Sequence, residues 1–439
     1  MTSMSGEEQM PTASAAPVTD DRAVFVRRES EVRGYCRSFP AIFARAKGAT
    51  LWDEQGRAYI DFLAGAGTIN YGHNDPAIKS AVIEYLAGDG ILHSLDLHTQ
   101  AKRSFLEEFE RTVLEPRSLD YKIQFPGPTG TNAVEAAFKL ARKATRRTTI
   151  LAFTNAYHGM TLGALAATGN TFARAGAGIP LLGTAFAPYD GWGGMSSADC
   201  LAHLERLLSD ASSGMDLPAA VVLEGVQGEG GINAASTEWL RGVEEICRRR
   251  GILIIVDDIQ AGCGRTGTFF SFEPAGLRPD IVLLSKAIGG IGMPMSLVLM
   301  RPELDLWKPG EHNGTFRGFN PSFVAATAAL KHYWRDQTLV RQIAVSAAYV
   351  QQRLVDMRDG HPAAGFTVRG RGLMQGLHCP DPALAARISR QAWLDGLIVE
   401  RSGPDDEVVK IMPPLTISDD ELHRGMDLLA GAVRQALAS

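Results

Sequence analysis

The sequence predicts an α/β fold: a large domain with a mostly parallel sheet between helices, and a small α+β domain built from both chain ends. Three observations predict it. Short apolar runs through the middle of the chain are continuous rather than alternating, as in strands buried on both faces. Amphipathic helical patterns such as "STEWLRGVEEICRRRG" separate them, as βαβ units require. At 439 residues the chain exceeds what one small core fills, which calls for a second domain or a discontinuous pair.

In chain order, residues 1–21 are polar and rich in small residues and are expected to form a flexible tail. Residues 22–75, with "GATLWDEQGRAYIDFLAGAG", carry hairpin features and are assigned to the first part of the small domain. The large domain is expected over 76–325. Its strands are read at "YKIQF" (121–125), "TTILAF" (148–153), "AAVVLE" (219–224), "ILIIVDD" (252–258), "DIVLLS" (280–285) and "SLVLM" (296–300). From 326 to 439 long helical patterns give way to "FTVRGRGLMQGLHC", then "GLIVERSG" and "DEVVKIMPPLTI", then a final helix, which together complete the small domain.

Bulk properties exclude several classes. Hydrophobic residues make up 45%, charged residues 21%, and the net charge is -5 with both signs scattered, so neither a nucleic-acid footprint nor a basic membrane-surface helix is present. No apolar run reaches the length of a membrane span, and the N-terminus lacks the pattern of a secretory leader. Five cysteines, an odd number with no CxxC spacing, point to a reduced, cytoplasmic setting. His93 and His98 are the nearest approach to metal-ligand spacing, and no cysteine or carboxylate cluster joins them, so no metal is expected.

Chemistry concentrates where strands end. In "QFPGPTGTNAVEAAFKLARK", Gly130 and Thr131 fall at a helix start, where free N–H groups and the helix dipole favour an anion. A plain N-cap by Thr131 is the alternative. In "IIVDDIQAGCGRTG", Asp257 stands at the carboxyl end of an apolar strand, facing the crevice where such sheets bind ligands. Helix capping would also account for it. In "DIVLLSKAIGG", Lys286 ends the next strand; desolvation there lowers a lysine pKa and frees a neutral amine as nucleophile and base. Alone, it would be an ordinary lysine at a strand end. Together, an anion cradle, a carboxylate and a lysine on one sheet edge suit pyridoxal phosphate: the lysine bonds the aldehyde and the carboxylate holds the ring nitrogen protonated. Tyr157 and His158, in "NAYHGMTLG", add an aromatic that could stack on the ring or simply pack in the core.

These motifs, from about residue 35 to the C-terminus, resemble the class III pyridoxal-phosphate aminotransferases of fold type I. The resemblance implies a seven-stranded, mostly parallel sheet, and a homodimer with shared active sites. It implies phosphate binding by Gly130 and Thr131, ring stacking by Tyr157 beside His158, and roles for Glu224 and Glu229 of "LEGVQGEGG". It further implies Asp257 at the pyridinium, Gln260 near the ring hydroxyl, Lys286 as the cofactor lysine, and Thr315 of "HNGTFRGFNP" at the neighbouring subunit's phosphate. Departures from the family pattern are Asn132 for glutamate, Asp258 for glutamate, and Lys410 for the arginine that pairs with the glutamate at 229. A lysine is a point charge rather than a bidentate fork, so Arg317 and Lys410 are both candidate carboxylate binders. The same motifs are similar to the subgroup of L-2,4-diaminobutyrate:2-oxoglutarate 4-aminotransferases of ectoine biosynthesis. The alternatives are another ω-aminotransferase, acting on ornithine, 4-aminobutyrate or diaminobutyrate of another pathway, and a catalytically idle binding protein of the same fold.

Overall fold

A computed structural model describes residues 22–438, so the predicted tail at 1–21 lies outside the described residues. The core is a seven-stranded sheet in the order Lys122–Gln124, Leu297–Met300, Ile281–Leu284, Leu253–Asp257, Ala220–Leu223, Ile150–Phe153, Thr184–Ala187. Leu297–Met300 runs antiparallel to both of its neighbours; the other pairings are parallel. Six of these strands coincide with the apolar runs of the sequence. Thr184–Ala187 is the exception, a half-buried edge strand whose "TAFA" lacks the continuous apolar run of its neighbours.

Alternate residues of the central strands enter two different cores. Leu151, Val221, Ile254, Val256, Val282 and Leu284 pack with Trp239, Phe269 and Phe323 on one face. Ile150, Val222, Ile255, Ile281 and Leu283 pack with Ala133, Ala137, Phe138 and Leu140 of the helix Gly130–Thr145 on the other. Burial on both faces explains the unbroken apolar runs. The helix Thr237–Arg250 forms as its sequence requires: Ser236 caps it, Trp239, Val243 and Cys247 form its buried stripe, and Gly251 ends it at φ 59°.

Among the described residues, a two-stranded hairpin, Val226–Gln227 against Asn233–Ala234, and two four-stranded sheets complete the sheet structure. In one, Phe43–Lys47, Thr50–Asp53 and Ala58–Asp61 form an antiparallel meander, and Leu397–Ile398, from far along the chain, pairs in parallel with Ala58–Asp61. The other has the order Thr367–Arg371, Met374–His378, Val408–Ile411, Glu400–Ser402. The final helix Asp419–Ala438 packs on Pro382–Asp395. Among the described residues, no helix is long and apolar enough to cross a membrane.

Candidate active site

Five loops converge at the carboxyl ends of the parallel strands, as expected for this sheet type. They follow Lys122–Gln124, Ile150–Phe153, Ala220–Leu223, Leu253–Asp257 and Ile281–Leu284. They line a cavity of ≈ 290 Å³. Of the twelve residues singled out from the sequence, nine meet there: Gly130, Thr131, Tyr157, His158, Glu224, Glu229, Asp257, Gln260 and Lys286.

Lys286 lies one residue beyond Ser285, whose Oγ donates to the Met295 carbonyl at 2.8 Å. Its backbone takes φ 51°, the left-handed region that non-glycine residues avoid unless their surroundings enforce it. Burial pushes its pKa down; the carboxylate of Glu229 opposes this and Lys410 adds to it, with a net lowering.

Asp257 closes the neighbouring strand. Its Oδ2 meets His158 Nδ1 at 2.7 Å, and its Oδ1 accepts the Ile259 N–H at 3.2 Å. Burial disfavours the imidazolium of His158, but the hydrogen bond and charge of Asp257 more than offset it, so its pKa rises.

At the helix start, the cap is Thr129 rather than Thr131: its backbone N–H and Oγ1 donate to Asn132 Oδ1 at 3.2 and 2.8 Å. Asn132 thus closes the helix end, and Thr131 Oγ1 is left at the cavity, 2.6 Å from Thr161 Oγ1. A Cβ at Gly130 would press on Ile259 at 3.0 Å, and one at Gly159 would meet Thr131 Oγ1 at 2.6 Å, so both glycines keep the cradle open.

Gln260 Nε2 donates to the Ala66 carbonyl at 2.9 Å and to Glu229 Oε1 at 3.0 Å. Ala66, like Ala64, has a positive φ, so a strained turn of the N-terminal region is braced against the site.

The other three predicted residues lie elsewhere. Lys410 sits mid-strand in Val408–Ile411, with a side chain 0% exposed, directly behind Glu229 at 2.8 Å. Thr315 and Arg317 do not line this chain's cavity. The Thr315 carbonyl meets His93 Nε2 at 2.6 Å, and Arg317 Nη2 pairs with Asp96 Oδ2 at 2.5 Å.

Sequence reasoning missed two residues. Glu400, paired across the sheet with Lys410, puts Oε1 2.9 Å from its ammonium, so one lysine faces two carboxylates. Tyr35, from the segment ahead of the first strand, donates its hydroxyl to Glu400 Oε2 at 3.2 Å. The alternation "VERS" against "VVKI" is the only signal that could have found Glu400. Nothing in "RGYCRS" marks Tyr35.

An activated lysine, a carboxylate at the next strand end and an anion cradle in one cavity define an amino-group-transferring enzyme built around a carbonyl cofactor. Comparison with known proteins agrees. The profile of the class III aminotransferases matches residues 34–433. A diaminobutyrate–2-oxoglutarate transaminase of Nocardia farcinica is 56% identical over 416 residues, 95% of each chain. One of Halalkalibacterium halodurans is 54% identical, covering 94% of this chain and 96% of its own. The ornithine aminotransferase of Toxoplasma gondii superposes with a TM-score of 0.81 at 25% identity, over 96% of each chain.

The chain belongs to the class III aminotransferases, and its cofactor is pyridoxal phosphate. The residues present fit that group. The open helix N-terminus at Gly130 and Thr131 suits a phosphate. Asp257, with His158 behind it, suits a protonated ring nitrogen, and Lys286 suits the aldehyde. When bound, the cofactor supplies an electron sink.

Proposed function

We propose that this enzyme transfers the amino group of L-glutamate to L-aspartate 4-semialdehyde, giving L-2,4-diaminobutyrate and 2-oxoglutarate, reversibly, as the first committed step of ectoine biosynthesis. The substrates rest on one observation: relatives named for diaminobutyrate and 2-oxoglutarate match at 54–56% identity along nearly the whole chain. With pyridoxal phosphate bound, Lys286 would be the nucleophile and the base that moves the substrate's proton, and Asp257 would keep the ring nitrogen protonated. Gly130 and Thr131 would hold the phosphate, Tyr157 would cover the ring, and Gln260 would face its hydroxyl. Glu229, Lys410 and Arg317 sort the substrate carboxylates.

The cavity suits alternation between two unlike substrates. With Lys410 sequestered, the group facing the cavity is Glu229, its side chain 30% exposed. Burial alone would raise the pKa of Glu229, but Lys410, Lys286 and Gln260 hold it down at about 2. That arrangement attracts the second ammonium of a diamino acid. A dicarboxylate would need Lys410 uncovered.

The reading extends to a cytoplasmic homodimer in which Thr315 serves the neighbouring subunit's phosphate. It takes residues 22–75 and 326–439 as one domain; the pairing of Leu397–Ile398 with Ala58–Asp61 supports this. All five cysteines are free, consistent with a reducing compartment.

Separate addition of L-glutamate, L-2,4-diaminobutyrate, L-ornithine and 4-aminobutyrate, followed by the cofactor's visible absorbance, tests the substrates. Fast conversion with the first two alone is expected. Preference for ornithine or 4-aminobutyrate overturns the substrate assignment. For the dimer, mixing Lys286→Ala and Thr315→Ala subunits should restore about a quarter of wild-type activity, because half of the randomly formed dimers then carry one intact site of two. No recovery means that Thr315 acts within its own chain or not at all.

A further inference from the structure

Two carboxylates from the same short loop line the cavity in opposite surroundings. Glu229 has cations about it. Glu224, five residues before it in "EGVQGE", follows the strand Ala220–Leu223 and is 8% exposed. Its Oε1 accepts the Tyr157 N–H at 3.0 Å, and the Tyr189 hydroxyl donates to its backbone carbonyl at 2.7 Å, so its position is fixed from two sides. Neither contact brings a positive charge.

Besides the Tyr189 hydroxyl, the ionisable groups acting on it are His158, Asp257 and Glu229. Two are like-charged, and His158 directs its Nδ1 to Asp257. Arg371, across Gly225, donates to the Ser271 carbonyl rather than to Glu224. Among the described residues, no side-chain cation forms a hydrogen bond or ion pair with Glu224. A buried carboxyl so placed keeps its proton.

We propose that Glu224 is a catalytic proton donor: a neutral carboxyl in the cavity wall that gives its proton to the substrate's carbonyl oxygen as that oxygen leaves as water. The proposal rests on the transamination reading. In that reaction, entry of the semialdehyde releases one water, and release of 2-oxoglutarate consumes one. In the first, the donating amine bonds to the carbonyl carbon and one of its protons passes to the oxygen; the Glu224 O–H bond then breaks to give that oxygen its second proton, the carbon–oxygen bond breaks, and Glu224 is left as carboxylate. In the second, the attacking water gives a proton back to that carboxylate. Over one cycle the protons balance without any further reactant. Burial, the first cause, and the nearby carboxylates raise the Glu224 pKa to about 8 against the opposing pull of His158, while Glu229 is ionised throughout the neutral range. Pairs of acids driven apart in this way divide the acid and base work of a site.

The test compares the cofactor-loaded wild type with Glu224→Gln and with Asp258→Asn. Asp258 is the control because burial also raises it, to about 7. Wild-type single-turnover rates with the semialdehyde should fall as pH rises through about 8. Glu224→Gln should lose that break and slow by at least about 10²-fold, while Asp258→Asn keeps the break. Infrared titration of the same proteins reads the proton itself: a carboxyl band that disappears near pH 8 in the wild type should be absent from Glu224→Gln. Persistence of the band or the break in Glu224→Gln, or a rate within about two-fold of wild type, overturns the proposal. If no amino donor converts the wild type, the reaction assignment falls instead, and the infrared titration alone decides whether Glu224 holds the proton.

Discussion

The carboxyl edge of the seven-stranded sheet and the interior of the C-terminal four-stranded sheet hold charged residues, one lining the cavity and the other behind its wall, by different physical means. At the edge, the groups stand in loops beyond strand ends, where backbone N–H groups, a helix start and solvent partly satisfy them. Lys286 there is a cation made less basic by burial. In the C-terminal sheet, Lys410 stands mid-strand, fully enclosed, and burial disfavours its charge, but Glu229 and Glu400 outweigh that and raise its pKa. Two lysines near one cavity thus have opposite tendencies: one is ready to lose its proton, the other is locked into holding it. Position within the sheet, rather than residue type, sets the chemistry.

The largest effect should come from the edge. Lys286→Ala should cut turnover by more than about 10²–10⁴-fold, since it removes a positioned base together with the nucleophile. Its melting temperature should stay close to that of the wild type. A large loss of stability there would break the distinction, because it would make the edge lysine structural. Lys410→Met should do the reverse. It leaves buried Glu400 facing the partly exposed Glu229 with no cation between them, and breaking a buried cluster typically costs up to roughly 3–5 kcal/mol. Adding Glu400→Gln should recover part of this in denaturant unfolding; an unchanged midpoint for Lys410→Met would sink the enclosed-cluster picture.

The smallest effect sharpens the comparison through pH. Folded Glu224 holds a proton up to about 8 that an unfolded glutamate releases near ~4.3, so stability should fall as pH rises through that window. Folded Glu229 has released its proton by about 2, so its contribution should be present above ~4.3 and be lost as pH falls toward 2. Unfolding midpoints measured across pH should show the fall between ~4.3 and about 8 flatten in Glu224→Gln and the fall below ~4.3 flatten in Glu229→Gln.

The edge was legible in the sequence because its signals are local. Asp257 and Lys286 each end an apolar run, and Gly130 and Thr131 open a helix, so strand and helix boundaries locate them. The antiparallel course of Leu297–Met300 was not legible, since its residues are apolar on both faces like those of its parallel neighbours. The edge strand Thr184–Ala187 was invisible for the opposite reason: half-buried, it needs no apolar run. Glu400 depends on strand register, which brings it opposite Lys410 across a ladder that no short window of sequence contains. Tyr35 reaches Glu400 over 365 positions in the chain. Thr129 took the cap expected of Thr131 because the helix begins at Gly130, two residues earlier than a cap at Thr131 would set it.

The contrast between the two lysines also makes the cavity a selective target for covalent labelling. A small aldehyde reagent needs an amine that is both reachable and unprotonated. Lys286 lines the cavity and is shifted toward the free amine, whereas Lys410 is walled in and held as ammonium. A reporter group introduced that way would mark the cavity lysine of each intact molecule and leave Lys410 untouched.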